Sequence, residues 1–213
     1  MKIRIAVLLW LATRTVKADD ILIFGPSFGT EVTSTKTSFG ESRHFELPVG
    51  GAILANVGQF TIEGGATRSI GTGIGIDTNN ALVGMKWNFL PYINVGGGFI
   101  RLYLVDLARN DTVRAPYGSI GIRFATESRQ IALTSTAMWA PRLMRSGTKL
   151  DNSRGKGWGI ETLALFQFSR HVGFAMSYGH LHVERKLEPS GLSIKIPETI
   201  SREAFRFGTV LRF

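Results

Sequence analysis

Hydrophobic and polar residues alternate with a period of two along successive segments of the chain. Residues 205–213 show the pattern most clearly: Phe, Phe, Thr, Leu and Phe occupy the odd positions, and Arg, Gly, Val and Arg occupy the even ones. Successive side chains of a β-strand point to opposite faces, so this alternation predicts a strand with one apolar and one charged face. Short breaks rich in polar residues, glycine or proline separate the segments, which is typical of strands joined by turns.

The same alternation recurs in earlier segments. Their apolar faces comprise Ala81, Val83, Met85, Trp87 and Phe89; Ile100, Leu102 and Leu104; Pro116, Gly118, Ile120, Ile122 and Phe124; Ile131, Leu133 and Ala137; and Trp158, Ile160, Thr162, Ala164, Phe166 and Phe168. The opposite faces hold glycines and charges of both signs, namely Lys86, Arg101, Arg123, Glu161, Arg206 and Arg212. The apolar interior of a soluble barrel could not hold so many unpaired charges. We therefore expect the apolar faces outward, in lipid, and these charged residues inside.

Aromatic residues recur at equivalent strand ends on the apolar faces, as in the two interfacial girdles of a membrane barrel. They are Phe89, Phe124, Phe168 and Phe213 at one end, and Trp139 and Trp158 near the other. We identify eight strands from residue 66 onward and two further candidates near residues 20–34 and 47–62. The fold class predicted is all-β: a transmembrane antiparallel up-and-down β-barrel of eight to ten strands, with ten as the best count.

The N-terminus has the features of an export signal. Two cations precede an apolar run over residues 5–12, and Val16 and Ala18 fit the small-residue pattern of a cleavage site. The run is shorter than the roughly 20 residues that a membrane-spanning helix needs. We expect a signal peptide over residues 1–18 and one barrel domain over residues 19–213.

Composition changes this picture in two ways. The expected signal contains Lys2, Arg4, Arg14 and Lys17, so its removal lowers the formal net charge from +9 to +5. The chain contains no cysteine, which excludes disulfides, thiolate metal sites and a cysteine nucleophile. The remaining positive charge does not indicate nucleic acid as a partner, because no recognised nucleic-acid-binding module accompanies it.

The export signal, the alternating strands and the final phenylalanine together resemble Gram-negative outer-membrane β-barrel proteins. Residues 87–98, Trp-Asn-Phe-Leu-Pro-Tyr-Ile-Asn-Val-Gly-Gly-Gly, resemble a strand–turn–strand unit of small barrels of the OmpA, OmpX and OmpW type. The ending resembles the C-terminal signal that the barrel-assembly machinery of this class recognises. The resemblance implies a location in the bacterial outer membrane and the assembly machinery as a partner during biogenesis. It assigns the assembly signal to Phe205, Phe207, Leu211 and Phe213.

One group of residues has the chemistry of a possible active site. His180, His182 and Glu184 share one strand face, and two histidines at this spacing can converge on a metal. In the alternative interpretation they are the polar end of a lipid-facing strand face that begins with Phe174 and Tyr178. His-x-Ser, as in the lipid A deacylase family of small barrels, does not occur in the sequence. We favour the second interpretation and expect no metal and no cofactor.

The most basic predicted loop covers residues 141–156. Its cations are Arg142, Arg145, Lys149, Arg154 and Lys156. The outer leaflet of a Gram-negative outer membrane carries phosphorylated lipopolysaccharide, and arginine binds phosphate in a bidentate manner. These residues are therefore candidates for contact with lipopolysaccharide. The alternative is a solvated loop without a fixed partner.

Three functions follow from this sequence. The first is a monomeric, non-catalytic outer-membrane barrel with a structural, adhesive or narrow-pore role, and any such pore is expected to prefer anions. The second is an outer-membrane enzyme that modifies lipid A or phospholipid and uses the histidine-containing face. The third is a secreted, lipocalin-like barrel that binds an apolar ligand, which requires the opposite polarity of the strand faces.

Overall fold

The computed structural model describes residues 20–71, 77–105, 110–126, 130–145, 155–187 and 195–213, so the expected signal peptide lies outside the described residues. The strands are β1 (Asp20–Thr37), β2 (Gly40–Val57), β3 (Phe60–Gly71), β4 (Asp77–Leu90), β5 (Ile93–Val105), β6 (Asn110–Ala125), β7 (Ile131–Arg145), β8 (Gly155–Gln167), β9 (Val172–Leu187) and β10 (Ile196–Arg212). Each strand pairs with its sequence neighbours, and β1 pairs antiparallel with β10, which closes the barrel. The predicted fold class and the count of ten strands are confirmed.

The outer wall of the barrel is apolar. Large side chains on this wall are exposed, including Phe99 at 61%, Val83 at 57% and Ile120 at 55%. Charged side chains occupy the interior instead, where Glu31 is 0% and Arg202 5% exposed. An apolar exterior around a polar interior is the arrangement of a barrel in lipid, and it excludes the polarity that a soluble lipocalin-like barrel needs.

The two ends of the barrel differ. At one end, here called the turn end, the first and last strands meet: the Ile21 and Phe213 backbones exchange hydrogen bonds of 3.2 and 3.0 Å. The tight β2–β3 and β4–β5 turns lie at the same end. The opposite end, here called the loop end, contains the two longest connections, between β7 and β8 and between β9 and β10. No helix among the described residues is long and apolar enough to cross a membrane.

Aromatic side chains surround the outer wall at both ends. At the turn end, Phe124 is 54%, Phe168 76% and Phe213 69% exposed. Near the loop end, Trp139 is 58% and Trp158 45% exposed, and the two tryptophans are register partners on β7 and β8. These positions match the interfacial girdles of membrane barrels, where an aromatic ring contacts both the hydrocarbon and the headgroup region.

Candidate functional site

Most of the charged residues expected inside the barrel point into the lumen. Lys86 Nζ lies 2.7 Å from a carboxylate oxygen of Glu63, and Arg212 Nε lies 2.7 Å from a carboxylate oxygen of Asp20. Arg206, Arg123 and Glu161 line a central cavity. The interior charges are therefore partly neutralised by acids, as burial of charge in a closed barrel requires.

Arg101 was expected inside the barrel, but the structure places it on the outer wall. On β5, Phe99 and Arg101 are both exposed, whereas Leu102 is buried at 7%. The apolar face formed by Ile100 and Leu102, which we expected to contact lipid, packs inside the barrel instead. The physical reason is that the lumen near the loop end is itself apolar, so apolarity alone does not identify the lipid-facing side of this strand.

A dense group of side chains fills the lumen near the loop end, and we call it the loop-end plug. Its apolar part consists of Leu102, Val113, Ala115, Tyr117, Ala140, Leu143, Val183 and Ile200. Its ionic part consists of the pair Arg185–Glu198 and the pair Arg202–Glu31, the latter with 2.9 Å between Arg202 Nε and Glu31 Oε1. Ile200 and Glu31 are both 0% exposed, and the other plug side chains are at most 8% exposed, so both parts of the plug are buried.

The sequence analysis missed the ionic part of the plug. Glu198 and Arg202 share the inward face of β10 with Arg206, at intervals of four residues. The period-two alternation of the final strand, continued backwards beyond residue 205, would have placed them inside. Their partners on β1 and β9 were not predictable in the same way, because pairing depends on which strands are neighbours.

The rest of the lumen is hollow and reaches the turn end. A cavity of about 400 Å³ at the turn end is lined by turn residues such as Gly58 and Pro91 together with Arg212. A second cavity of about 290 Å³ occupies the middle of the barrel and extends to Leu102 and Arg202 of the plug. Both cavities share lining residues, among them Leu22, Asn56, Arg123, Leu165 and Val210. Among the described residues, the hollow part of the lumen therefore extends from the turn end to the loop-end plug.

A crossing tyrosine shapes the middle of this lumen. Tyr117 of β6 donates a hydrogen bond of 2.9 Å to Glu63 Oε1 on β3, and the other oxygen of Glu63 binds Lys86 of β4. The intervening inward positions include Gly84 and Gly98, and a Cβ atom at Gly84 would overlap the tyrosine hydroxyl. Glycine at this position therefore creates the space that Tyr117 crosses.

The histidine-containing face lies on the outer wall near the loop end. The ring of His182 is stacked on Trp158 with 5.4 Å between centroids, and its Nε2 atom lies 3.4 Å from Glu184 Oε1. The second oxygen of Glu184 lies 3.1 Å from Lys156 Nζ. His180 contacts the other edge of this group, with 5.3 Å between its ring and that of Trp158. Among the described residues no group of three His, Cys, Asp or Glu side chains is arranged to hold a metal.

The candidates for lipopolysaccharide contact are dispersed. Arg142 is exposed on the outer wall, and Lys156 is engaged by Glu184. Arg145 ends β7, with a side chain outside the described part, and Lys149 and Arg154 lie outside the described residues altogether. The residues assigned to the assembly signal all lie on the outer wall of β10 or directly after it: Phe205, Phe207, Leu211 and Phe213 are 41%, 43%, 38% and 69% exposed.

No protein-family model matches the chain, and no curated protein sequence matches it. Neisserial surface protein A aligns with a TM-score of 0.38 and 10% identity over 91% of this chain and 97% of that chain. The outer membrane protease OmpT from Escherichia coli aligns with a TM-score of 0.44 and 9% identity, covering 93% and 98%. The outer membrane protein OprG from Pseudomonas aeruginosa aligns with a TM-score of 0.33 and 14% identity, covering 93% and 97%. The outer-membrane location of this chain rests on its own closed barrel and apolar outer wall.

Proposed function

We propose that this chain is a monomeric, non-catalytic outer-membrane barrel with a structural or surface-interacting role, whose lumen is sealed in the resting state. The observation that carries this proposal is the loop-end plug. Ile200 and Val183 are 0% and 1% exposed, and Glu31 and Glu198 are 0% and 2% exposed. These side chains come from β1, β9 and β10, and their burial supports a lumen without a continuous water-filled path at this level.

The composition of the plug supports a high barrier to ions. An apolar constriction excludes water, and an ion that leaves water for such a site loses most of its hydration energy. The neighbouring charges of the plug already form pairs, so they offer a passing ion no free counter-charge. A narrow pore, one of the roles predicted from the sequence, would therefore require the plug to move.

Single-channel recording in planar bilayers tests this proposal. We expect the unmodified barrel to give no stable conductance, and the double variant Val183→Ala/Ile200→Ala to conduct, because truncation opens the apolar part of the plug. The double variant Val83→Ala/Ile120→Ala is the matched control, since both residues lie on the outer wall. Steady conductance of the unmodified barrel would contradict the proposal. Any conductance of the opened barrel should prefer anions, because Arg123 and Arg206 line the cavity behind the plug.

A lipid-modifying activity is the second candidate, and the contact between His182 and Glu184 favours it. A histidine oriented by a carboxylate at the edge of the apolar wall is suited to general base chemistry on a lipid headgroup. Mass spectrometry of lipid A and phospholipid from expressing cells tests this candidate. A new lipid species that disappears with His182→Ala would support it, and unchanged lipids in expressing cells would remove that support.

A further inference from the structure

Three arginines on the outer wall form a patch that spans adjacent strands. Arg101 of β5 and Arg114 of β6 are direct register partners, and both are exposed. Arg142 of β7 is also exposed. It lies on β7 between Trp139, which pairs with Gly118 of β6, and Met144, which pairs with Arg114. We call these three residues the outer arginine patch. Within the described part of the chain, no side chain forms an ion pair or hydrogen bond with them.

The height of the patch on the barrel coincides with the membrane interface. Arg101 follows Tyr92, a turn-end residue, by nine positions, and Arg114 precedes Phe124 of the turn-end girdle by ten. Strands that rise about 3.3 Å per residue at a tilt of about 40° cover about 23–25 Å along the barrel axis over these distances. This span equals the height of about 25 Å expected for the apolar band. The patch therefore lies where the hydrocarbon ends and the lipid headgroups begin.

Such a patch is unfavourable without an anion. Like charges directly opposite each other on adjacent strands destabilise a sheet, and headgroup-level surroundings screen them less than bulk water does. On the flanking strands, Arg101 pairs with Ala81 of β4 and Arg114 pairs with Met144 of β7, and neither partner carries a charge. By contrast, outward Arg43 in the β1–β2 hairpin has an acidic partner, with 3.1 Å to Glu41 Oε1.

We propose that Arg101, Arg114 and Arg142 bind the phosphate groups of lipopolysaccharide in the outer leaflet. Loops of outer-membrane barrels face the cell exterior, so the loop end of this barrel meets that leaflet. Guanidinium groups bind phosphate oxygens in a planar, bidentate geometry, and neighbouring arginines can share one phosphate or hold two. The site goes beyond the sealed-barrel proposal, because it requires neither a closed lumen nor an activity.

Binding of labelled lipopolysaccharide to the full-length barrel in nanodiscs tests the site. We expect the unmodified barrel to bind phosphorylated lipopolysaccharide about tenfold or more tightly than lipopolysaccharide whose lipid A phosphates have been removed. In the triple variant Arg101→Gln/Arg114→Gln/Arg142→Gln this preference should disappear. The triple lysine variant should retain part of it, because lysine keeps the charge but loses the bidentate geometry.

Arg43→Gln is the matched control, since it removes an exposed outward arginine that already has a carboxylate partner. A gel mobility shift on boiling shows that each variant is folded before binding is measured. Because the substituted side chains are exposed, we expect all variants to fold. Equal affinity of the unmodified barrel for phosphorylated and phosphate-free lipid would overturn the proposal. So would full retention of the preference in the triple glutamine variant.

Discussion

Glu31 is the residue on which the buried charges of the lumen converge. Its carboxylate is 0% exposed, lies 2.9 Å from Arg202 and is shared with Arg206 at 3.9 Å. Two guanidinium groups inside the barrel therefore share this carboxylate. An isolated buried charge costs several kcal/mol of folding free energy. A carboxylate that pairs with a buried arginine therefore contributes more to stability than a carboxylate in an exposed ion pair.

We expect Glu31→Gln to destabilise the barrel by about 3–5 kcal/mol, because it removes the charge that faces the buried Arg202 and the partly exposed Arg206. Urea titration of the refolded barrel in lipid, followed by tryptophan fluorescence, measures this change. Glu41→Gln is the control: it also removes the carboxylate partner of an arginine, but in an exposed pair. We expect no measurable change for Glu41→Gln. Equal stability of the two variants would show that the buried group contributes nothing.

At the scale of the strand, β4 and β5 have positions without side chains on their inward faces. Their inward glycines, Gly84 and Gly98, have no side chain to fill the lumen, so Tyr117 of β6 reaches across to Glu63 of β3. The crossing connects strands that are not neighbours in the sheet and gives the buried carboxylate a second partner besides Lys86. Small residues in this strand pair are therefore a packing requirement of the fold.

Gly84→Ala should destabilise the barrel by about 1–3 kcal/mol, because the added methyl group displaces the Tyr117 hydroxyl. Gly118→Ala provides the control, since a Cβ atom there meets nothing within 4 Å. We expect that control to be neutral or to stabilise the barrel by up to about 1 kcal/mol, through the reduced entropy of the unfolded chain. The same urea titration distinguishes the two, and a neutral Gly84→Ala would contradict the crossing geometry.

The last strand leads to a prediction about biogenesis. We propose that the barrel-assembly machinery recognises the outward aromatic side chains of β10 together with Phe213. Phe213→Ala should then slow accumulation of the folded, heat-modifiable form in cells, with refolding in lipid in vitro much less affected. Phe39→Ala removes another exposed aromatic ring, at 80% exposure, from the opposite end of the barrel and should have no such effect. If both variants accumulate and refold equally poorly, in cells and in vitro, the defect comes from lost packing and not from lost recognition.

The whole molecule is organised by an inversion of polarity. Its outer wall presents rings such as Phe99 and Trp139 to lipid, while carboxylates and guanidinium groups pair inside. Hydrogen bonding between β1 and β10 leaves no open sheet edge among the described strands, as a sheet in hydrocarbon requires. The closed ladder and the paired interior are properties of the complete barrel, and neither exists in a single hairpin.

Fractionation and gel mobility test this arrangement directly. We expect the protein to require detergent for extraction from membranes and to migrate differently before and after boiling, because the closed ladder resists detergent until heated. A soluble protein from the same cells, which is not associated with the outer membrane, provides the control for fractionation. Extraction in plain buffer with no shift on boiling would contradict the apolar outer wall.

The local alternation along each strand is visible in the sequence because neighbouring side chains of an extended chain must point to opposite faces. This rule predicts most of the strands, and with the cost of burying unpaired charges it predicts the lipid-facing rings and the inward direction of residues such as Arg123 and Arg206. It misplaces the candidate strand near residues 47–62, which runs across the turn between β2 and β3. It required no knowledge of which strands pair.

The direction of a face becomes ambiguous where the lumen itself is apolar. Arg101 alternates with Leu102 in the sequence, yet only the packing of Leu102 against β6, β7, β9 and β10 shows that the arginine points outward. Likewise, the pairs Glu31–Arg202 and Arg185–Glu198 join residues that are far apart in the chain or separated by a loop. The alternation of apolar and polar side chains is a property of a single strand, so the sequence determines it. The content of the lumen at each height depends on every strand that surrounds it, so only the closed barrel decides it.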